Sequence, residues 1–140
     1  MLEFYEEAAR YDVAVFTGHI PAAKSISIPG AICLDSSLAF TGAPEKVSAY
    51  HELGHCVRGA FYTKDDPDYL IRRCENKANK WAIRRLIPRE DLEAAVADGY
   101  TEPWELAEIF DVTVEFMKLA MWYYANGNLA MPPEPATTNA

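Results

Sequence analysis

The sequence predicts an α+β protein in which a small β-sheet precedes two long helices and a C-terminal helical hairpin. Three observations lead to this class. Two short runs rich in β-branched residues flank a Pro-Gly turn and predict a β-hairpin over 25–34. Apolar residues then recur at helical spacing over 45–62 and 68–86, and neither segment contains a proline. Two shorter helical patterns follow over 102–124.

Length and composition predict one domain. The chain has 140 residues, of which half are hydrophobic, and this is enough to bury a core. We expect a domain of residues 1–126, with the hairpin 101–126 packed on it and a disordered, proline-rich tail over 127–140. No apolar run is long enough to span a bilayer, and three cysteines at no framework spacing favour reduced thiols. The expected location is therefore cytoplasmic, without membrane contact.

The N-terminal elements begin with a predicted helix over 2–11, which carries glutamates in its first turns where the helix dipole favours them. Residues 12–16 alternate between polar and apolar and predict a strand. The hairpin strands are predicted at 25–28 and 31–34, on either side of Pro29-Gly30. An extended peptide could add to such a hairpin as a further strand.

The segment 45–62 contains the motif His51-Glu52-Leu53-Gly54-His55. On a helix, two histidines four residues apart lie about 6 Å apart along the axis and differ by only about 40° in direction. Both imidazoles can therefore bind one metal ion. Glu52 points to the flank of the pair, where it can act as a general base without binding the metal. This pattern is typical of a zinc hydrolase site.

The predicted third ligand is Glu75, which lies at the border of the apolar stripe of 68–86. A carboxylate placed there without a partner is costly, so it favours a cation nearby. Asn79 lies one turn later on the same face, where it could hydrogen-bond a ligand histidine. The rival ligands are Asp65, Asp66 and Asp68, and the alternative role for Glu75 is an ion pair with Arg72 or Lys77.

The C-terminal part begins with a predicted helix over 89–97. The helices predicted over 102–110 and from the Thr113 cap to Tyr124 have the spacing of a helix-turn-helix core. The second of these helices presents few groups suited to base edges or phosphates. A net charge of −8 also opposes binding to phosphates, so DNA binding is not expected and a basic protein partner is favoured.

Three blocks of the sequence together resemble the ImmA/IrrE family of metallopeptidases, which is common in prophages and mobile elements. They are His51–His55, Glu75–Ala82 and Leu86–Pro88. The similarity covers most of residues 1–125. The resemblance implies a zincin-like fold with a gluzincin-like site, in which His51, His55 and Glu75 hold zinc and Glu52 is catalytic. It also implies that the substrate is a phage-type or mobile-element repressor with a helix-turn-helix.

The predicted function is therefore that of a zinc-dependent metallo-endopeptidase that cleaves a helix-turn-helix repressor. The alternative is a non-catalytic, zinc-containing regulatory module that binds a repressor or another partner without cutting it. Glu52 favours the enzyme, because a purely structural zinc site does not need it. The sequence predicts no particular oligomeric state.

Overall fold

The computed structural model describes residues 1–21 and 25–134 and has an α+β architecture, as the sequence predicts. Six α-helices and three β-strands lie within these residues. In chain order they are α1 Leu2–Arg10, β1 Ala14–Gly18, β2 Ile26–Ile28, β3 Ala31–Asp35, α2 Ala43–Arg58, α3 Asp68–Leu86, α4 Arg89–Ala97, α5 Pro103–Phe110 and α6 Val114–Asn126.

The three strands form one sheet in the order β1-β3-β2. The predicted hairpin is confirmed, since β2 and β3 pair antiparallel, and β1 pairs parallel to β3 on the other side. Strand β1 starts at Ala14, two residues later than predicted. Asp12 adopts a left-handed conformation, with φ of 59°, and so belongs to the turn that follows α1. One face of the sheet buries Ile32 and Leu34 in the core.

Helices α2 and α3 pack closely because small residues lie where they meet. A Cβ atom added to Gly54 would lie only 2.7 Å from the carbonyl oxygen of Ala78. Leu53 of α2 and Ala82 of α3 are fully buried beside this contact. The glycine therefore lets the two helices approach to backbone contact.

Helix α2 ends at Arg58, so the helical prediction over 45–62 is wrong at its C-terminal end. Gly59 takes the left-handed conformation, with φ of 60°, and the amide of Ala60 donates to the carbonyl of His55 at 2.9 Å. This is a glycine C-cap. The chain then turns back, and residues up to Tyr62 lie beside the helix instead of extending it.

The C-terminal helices α5 and α6 form the predicted hairpin. The hydroxyl of Thr113 accepts a hydrogen bond from the amide of Phe116 at 3.2 Å, which is the expected N-cap. Buried side chains of both helices, including Leu106 and Met117, join the core formed by the N-terminal elements. Helix α6 runs to Asn126, two residues beyond the prediction.

The segment after α6 contains no helix or strand up to Glu134, the last described residue. Leu129 packs against the core, and Glu134 pairs with Lys118 of α6. The rest of the tail that was expected to be disordered, 135–140, lies outside the described residues. In the part of the chain that the structure describes, no helix has both the length and the apolar character needed to cross a bilayer.

Candidate metal centre

Side chains from α2 and α3 converge between the two helices. The Nε2 atoms of His51 and His55 are 3.2 Å apart. Oε2 of Glu75 lies 2.8 Å from Nε2 of His51, and Oε1 lies 3.2 Å from Nε2 of His55. One ligand atom from each of these three residues lies within 4.8 Å of the others, so the group could hold a metal ion.

The two imidazole rings are oriented by hydrogen bonds at their other nitrogens. Nδ1 of His55 lies 2.6 Å from the carbonyl oxygen of Ala60, which can only accept, so this nitrogen carries the proton. Nδ1 of His51 lies 2.7 Å from Oδ1 of Asn79. In the neutral rings both Nε2 atoms then present lone pairs. Such outer contacts fix the tautomer and the orientation of metal-binding histidines.

Glu75 reaches this group from the middle of α3, and among the described residues it is the carboxylate whose oxygen joins the two Nε2 atoms. Within the described residues the ion pairs of Glu75 are with the two histidines, so the alternative pairing with Arg72 or Lys77 is not seen. The rival ligands lie outside the group. One of them, Asp66, instead accepts a hydrogen bond from the amide of Thr63 at 2.8 Å.

Glu52 lies beside the cluster and is 6% exposed. It lines a cavity of about 200 Å³ together with His55 and Glu75, and the remaining wall comes from the start of β2 and from Ala60–Tyr62. Burial raises the pKa of Glu52. The positive charge of the two histidine rings, when they are protonated, and a hydrogen bond from the Ser27 hydroxyl act against this rise. A carboxylate with a raised pKa is better suited to accept and return a proton near neutral pH.

The charges of the cluster itself follow from the same contacts. Burial alone would raise the pKa of Glu75, but hydrogen bonds from Tyr62 and, when their rings are protonated, from His51 and His55 hold that pKa well below its usual range. Burial disfavours the charged His55 ring, but hydrogen bonds to Glu75 and to the Ala60 carbonyl outweigh it and raise the pKa of His55. Glu75 is therefore ionised, which is the form that binds a metal.

The donor set fits a zinc ion. When both rings are neutral, two Nε2 lone pairs face each other at 3.2 Å beside an ionised carboxylate, and they repel one another unless a cation lies among them. Two imidazoles and one carboxylate, with space for further ligands on the cavity side, match a catalytic zinc site better than a closed structural one. The hydrogen bonds that the two Nδ1 atoms donate to the oxygens of Asn79 and Ala60 complete this arrangement.

Comparison with protein family models gives a match to Peptidase_M78, the IrrE N-terminal-like domain, over residues 8–121. The chain belongs to this family. The matched region includes β1 to α5 and most of α6, and so every residue of the cluster. Comparison with curated proteins gives no match. Membership of Peptidase_M78 confirms the resemblance that the sequence suggested and indicates a metallopeptidase-type function.

Two contacts of this Peptidase_M78 site were not predicted from the sequence. The Ala60 carbonyl orients His55, and the hydroxyl of Tyr62 donates to Oε1 of Glu75 at 2.5 Å. Both residues lie within three positions of Gly59, the C-cap of α2. The signal that could have found them is Gly59 itself, because a glycine at a helix C-terminus commonly turns the chain back.

Proposed function

We propose that the protein is a zinc-dependent endopeptidase in which His51, His55 and Glu75 hold the metal and Glu52 is the general base. The observation that carries this proposal is the convergence of both Nε2 atoms and one carboxylate, with a second, buried carboxylate lining the same cavity. A merely structural zinc site has no use for Glu52. Family membership supports the same function.

The chemistry divides between the ion and the side chains. A bound zinc ion would polarise the scissile carbonyl and lower the pKa of water enough to generate a nucleophile at neutral pH. Glu52 accepts the proton of the attacking water and then delivers it to the leaving amine. Asn79 and the Ala60 carbonyl keep the two imidazoles in the tautomer that leaves Nε2 free.

The surroundings of Glu52 suit an extended peptide. A second cavity of about 350 Å³ shares Ser25 and Glu52 with the first and continues past His51 towards Thr113. The two cavities therefore adjoin at the proposed catalytic carboxylate. Strand β2 forms one wall, and it pairs with β3 alone among the described strands, so its outer edge can bind a substrate backbone as a further strand.

We propose a phage-type or mobile-element repressor with a helix-turn-helix as the substrate. DNA-binding proteins of this kind carry positive charge for phosphate contacts, and the net charge of −8 is complementary to it. Complementary charge increases the rate of encounter between the two proteins. The expected cytoplasmic location, where repressors act, belongs to the same proposal.

The test combines metal content with cleavage. Elemental analysis of protein purified without chelators should give one zinc per chain in the wild type and loss of zinc in Glu75→Ala. Cleavage is then followed by mass spectrometry, with a panel of purified phage helix-turn-helix repressors as substrates and unfolded casein as a general probe. Glu52→Gln should keep zinc and lower the cleavage rate by about 10² to 10⁴, because it removes the general base.

The matched control is Glu108→Gln, which makes the same charge change at an exposed position of α5. It should cleave like the wild type. Retained cleavage in Glu52→Gln would refute the general-base role. A wild type that binds zinc and a repressor but cleaves neither the repressors nor casein would favour the regulatory binding module.

A further inference from the structure

Tyr62 makes a contact in the site that the proposed mechanism does not use. Its hydroxyl donates a hydrogen bond to Oε1 of Glu75 at 2.5 Å. The tyrosine lies on the segment that turns back after Gly59, and the side chain is half-buried against the cavity that holds Glu52. Its position therefore depends on the early end of α2.

The two oxygens of the Glu75 carboxylate have different surroundings. Oε2 lies 2.8 Å from Nε2 of His51 and has no second hydrogen-bond partner among the described residues. Oε1 accepts the Tyr62 hydroxyl and lies 3.2 Å from Nε2 of His55. The carboxylate is thus held at one oxygen and left available at the other.

Each candidate ligand has one outer partner, and Tyr62 completes this set. Asn79 holds His51, the Ala60 carbonyl holds His55, and the Tyr62 hydroxyl holds Glu75. A glutamate side chain has three rotatable torsions, so an unrestrained carboxylate loses conformational entropy when it binds an ion. A partner that orients it beforehand reduces this loss and strengthens metal binding.

We propose that Tyr62 is a positioning residue for the metal: its hydroxyl holds Oε1 of Glu75 so that Oε2 is presented to the ion. This inference rests on the proposed metal site. It assigns a role in metal affinity to a residue that supplies no ligand atom. It also links the site to the end of α2, because Tyr62 lies on the segment that turns back after Gly59.

The test is Tyr62→Phe, which removes the hydroxyl and keeps the ring. Zinc affinity is measured by competition with a chromophoric chelator, and the visible spectrum of the cobalt-loaded protein reports the arrangement of the ligands. We expect zinc binding to weaken about 10-fold or more, as for other outer partners of metal ligands, together with a changed cobalt spectrum.

The matched control is Tyr124→Phe. Tyr124 donates to the carbonyl of Ile87 at 2.6 Å, away from the metal centre, so this variant loses a comparable hydrogen bond without touching a ligand. It should be less stable than the wild type but keep the zinc affinity and the cobalt spectrum. Circular dichroism and thermal unfolding of both variants separate a change in fold from a change in metal binding.

Each outcome decides something. Equal zinc affinity and an unchanged cobalt spectrum in Tyr62→Phe would overturn the positioning role and leave the proposed peptidase intact. A wild type that binds neither metal would overturn the metal site itself, and the inference with it. A fall in the cleavage rate with unchanged metal affinity would show that the hydroxyl acts on the substrate instead, which also overturns the proposal.

Discussion

Two polar clusters begin at neighbouring residues of α2 and differ in the source of their positive charge. In the arginine cluster, defined here as Glu7, Tyr50 and Arg85, the carboxylate of Glu7 is buried and accepts from the Tyr50 hydroxyl at 3.1 Å and from Nε of Arg85 at 2.9 Å. In the metal cluster, His51, His55 and Glu75, no lysine or arginine pairs with the carboxylate within the described residues.

The source of the positive charge distinguishes a structural cluster from a cluster that can bind a ligand. The arginine cluster contains its own cation, so its charges are balanced when the protein folds, and it ties α1 to α2 and α3. Its guanidinium also lies 5.5 Å from the centre of the Tyr50 ring. With both rings neutral, the metal cluster directs lone pairs and a negative charge at one point without a side-chain cation. Such an incomplete cluster needs a ligand, and this is what distinguishes a site from a structural ion pair.

The largest expected effect concerns metal removal. At a zinc concentration about 1,000 times the Kd, binding should stabilise the wild type by about 4 kcal/mol relative to the metal-free protein. For a domain of this size the Tm should rise by roughly 10 °C. His51→Ala should lose this shift, because it lacks one ligand. Thermal unfolding of dialysed protein, with and without zinc, measures both.

Thermal unfolding of Arg85→Met, with and without zinc, tests whether the two clusters are independent. This variant should keep the full zinc-dependent shift in Tm, starting from a lower Tm. Loss of the shift would mean that the arginine cluster helps to form the metal site, and the distinction between them would fail.

The second prediction concerns the arginine cluster alone. Arg85→Met should lower the free energy of unfolding by about 3 kcal/mol, with or without zinc, because it leaves the buried Glu7 carboxylate without its cation. The control is Arg89→Met: Arg89 pairs with Glu93 one turn away at an exposed position, and its loss should cost about 0.5 kcal/mol. Chemical denaturation gives both values. Equal losses in the two variants would contradict the buried role of Arg85.

The third prediction concerns the contact that brings α2 and α3 together. In Gly54→Ala the new methyl group would meet the Ala78 carbonyl at 2.7 Å, so the helices must separate. We expect a loss of about 2 kcal/mol in stability, the usual scale for overpacking. Zinc affinity should fall too, since Ala78 lies between Glu75 and Asn79 on α3. Denaturation and chelator competition measure the two effects.

The control for this prediction is Gly18→Ala, where the added methyl group would meet only the Cys33 sulfur at 3.8 Å, an ordinary contact. This variant should change neither quantity much. If Gly54→Ala lowered stability but left zinc affinity unchanged, the spacing of the helices would matter for the core and not for the metal cluster.

Much of the fold follows from local patterns. The bounds predicted for α3 and α4 agree with the structure, because apolar spacing within a helix and the prolines that precede each helix depend only on neighbouring residues. The histidine pair is equally local: four residues on one helix place both rings on one face. For this reason the sequence alone predicts that His51 and His55 lie close together.

Only the tertiary structure decided which distant groups complete the site. From the sequence, the third ligand could be Glu75, Asp65, Asp66 or Asp68. Of these four, the structure brings only Glu75 to the histidines. It does so because α3 approaches α2 closely at Gly54 and Ala78. The parallel pairing of β1 with β3 could likewise not be predicted from the sequences of the two strands.

The end of α2 shows the physical reason most clearly. Apolar residues recur at helical spacing through Phe61, so the periodicity predicts a longer helix. In the structure, the left-handed conformation of Gly59 ends it. The segment that follows supplies the Ala60 carbonyl to His55 and the Tyr62 hydroxyl to Glu75. The sequence by itself determined the metal-binding pattern on one helix, since that pattern is local. Contacts between chain segments decided how the pattern is oriented, because they depend on packing that no short window of sequence contains.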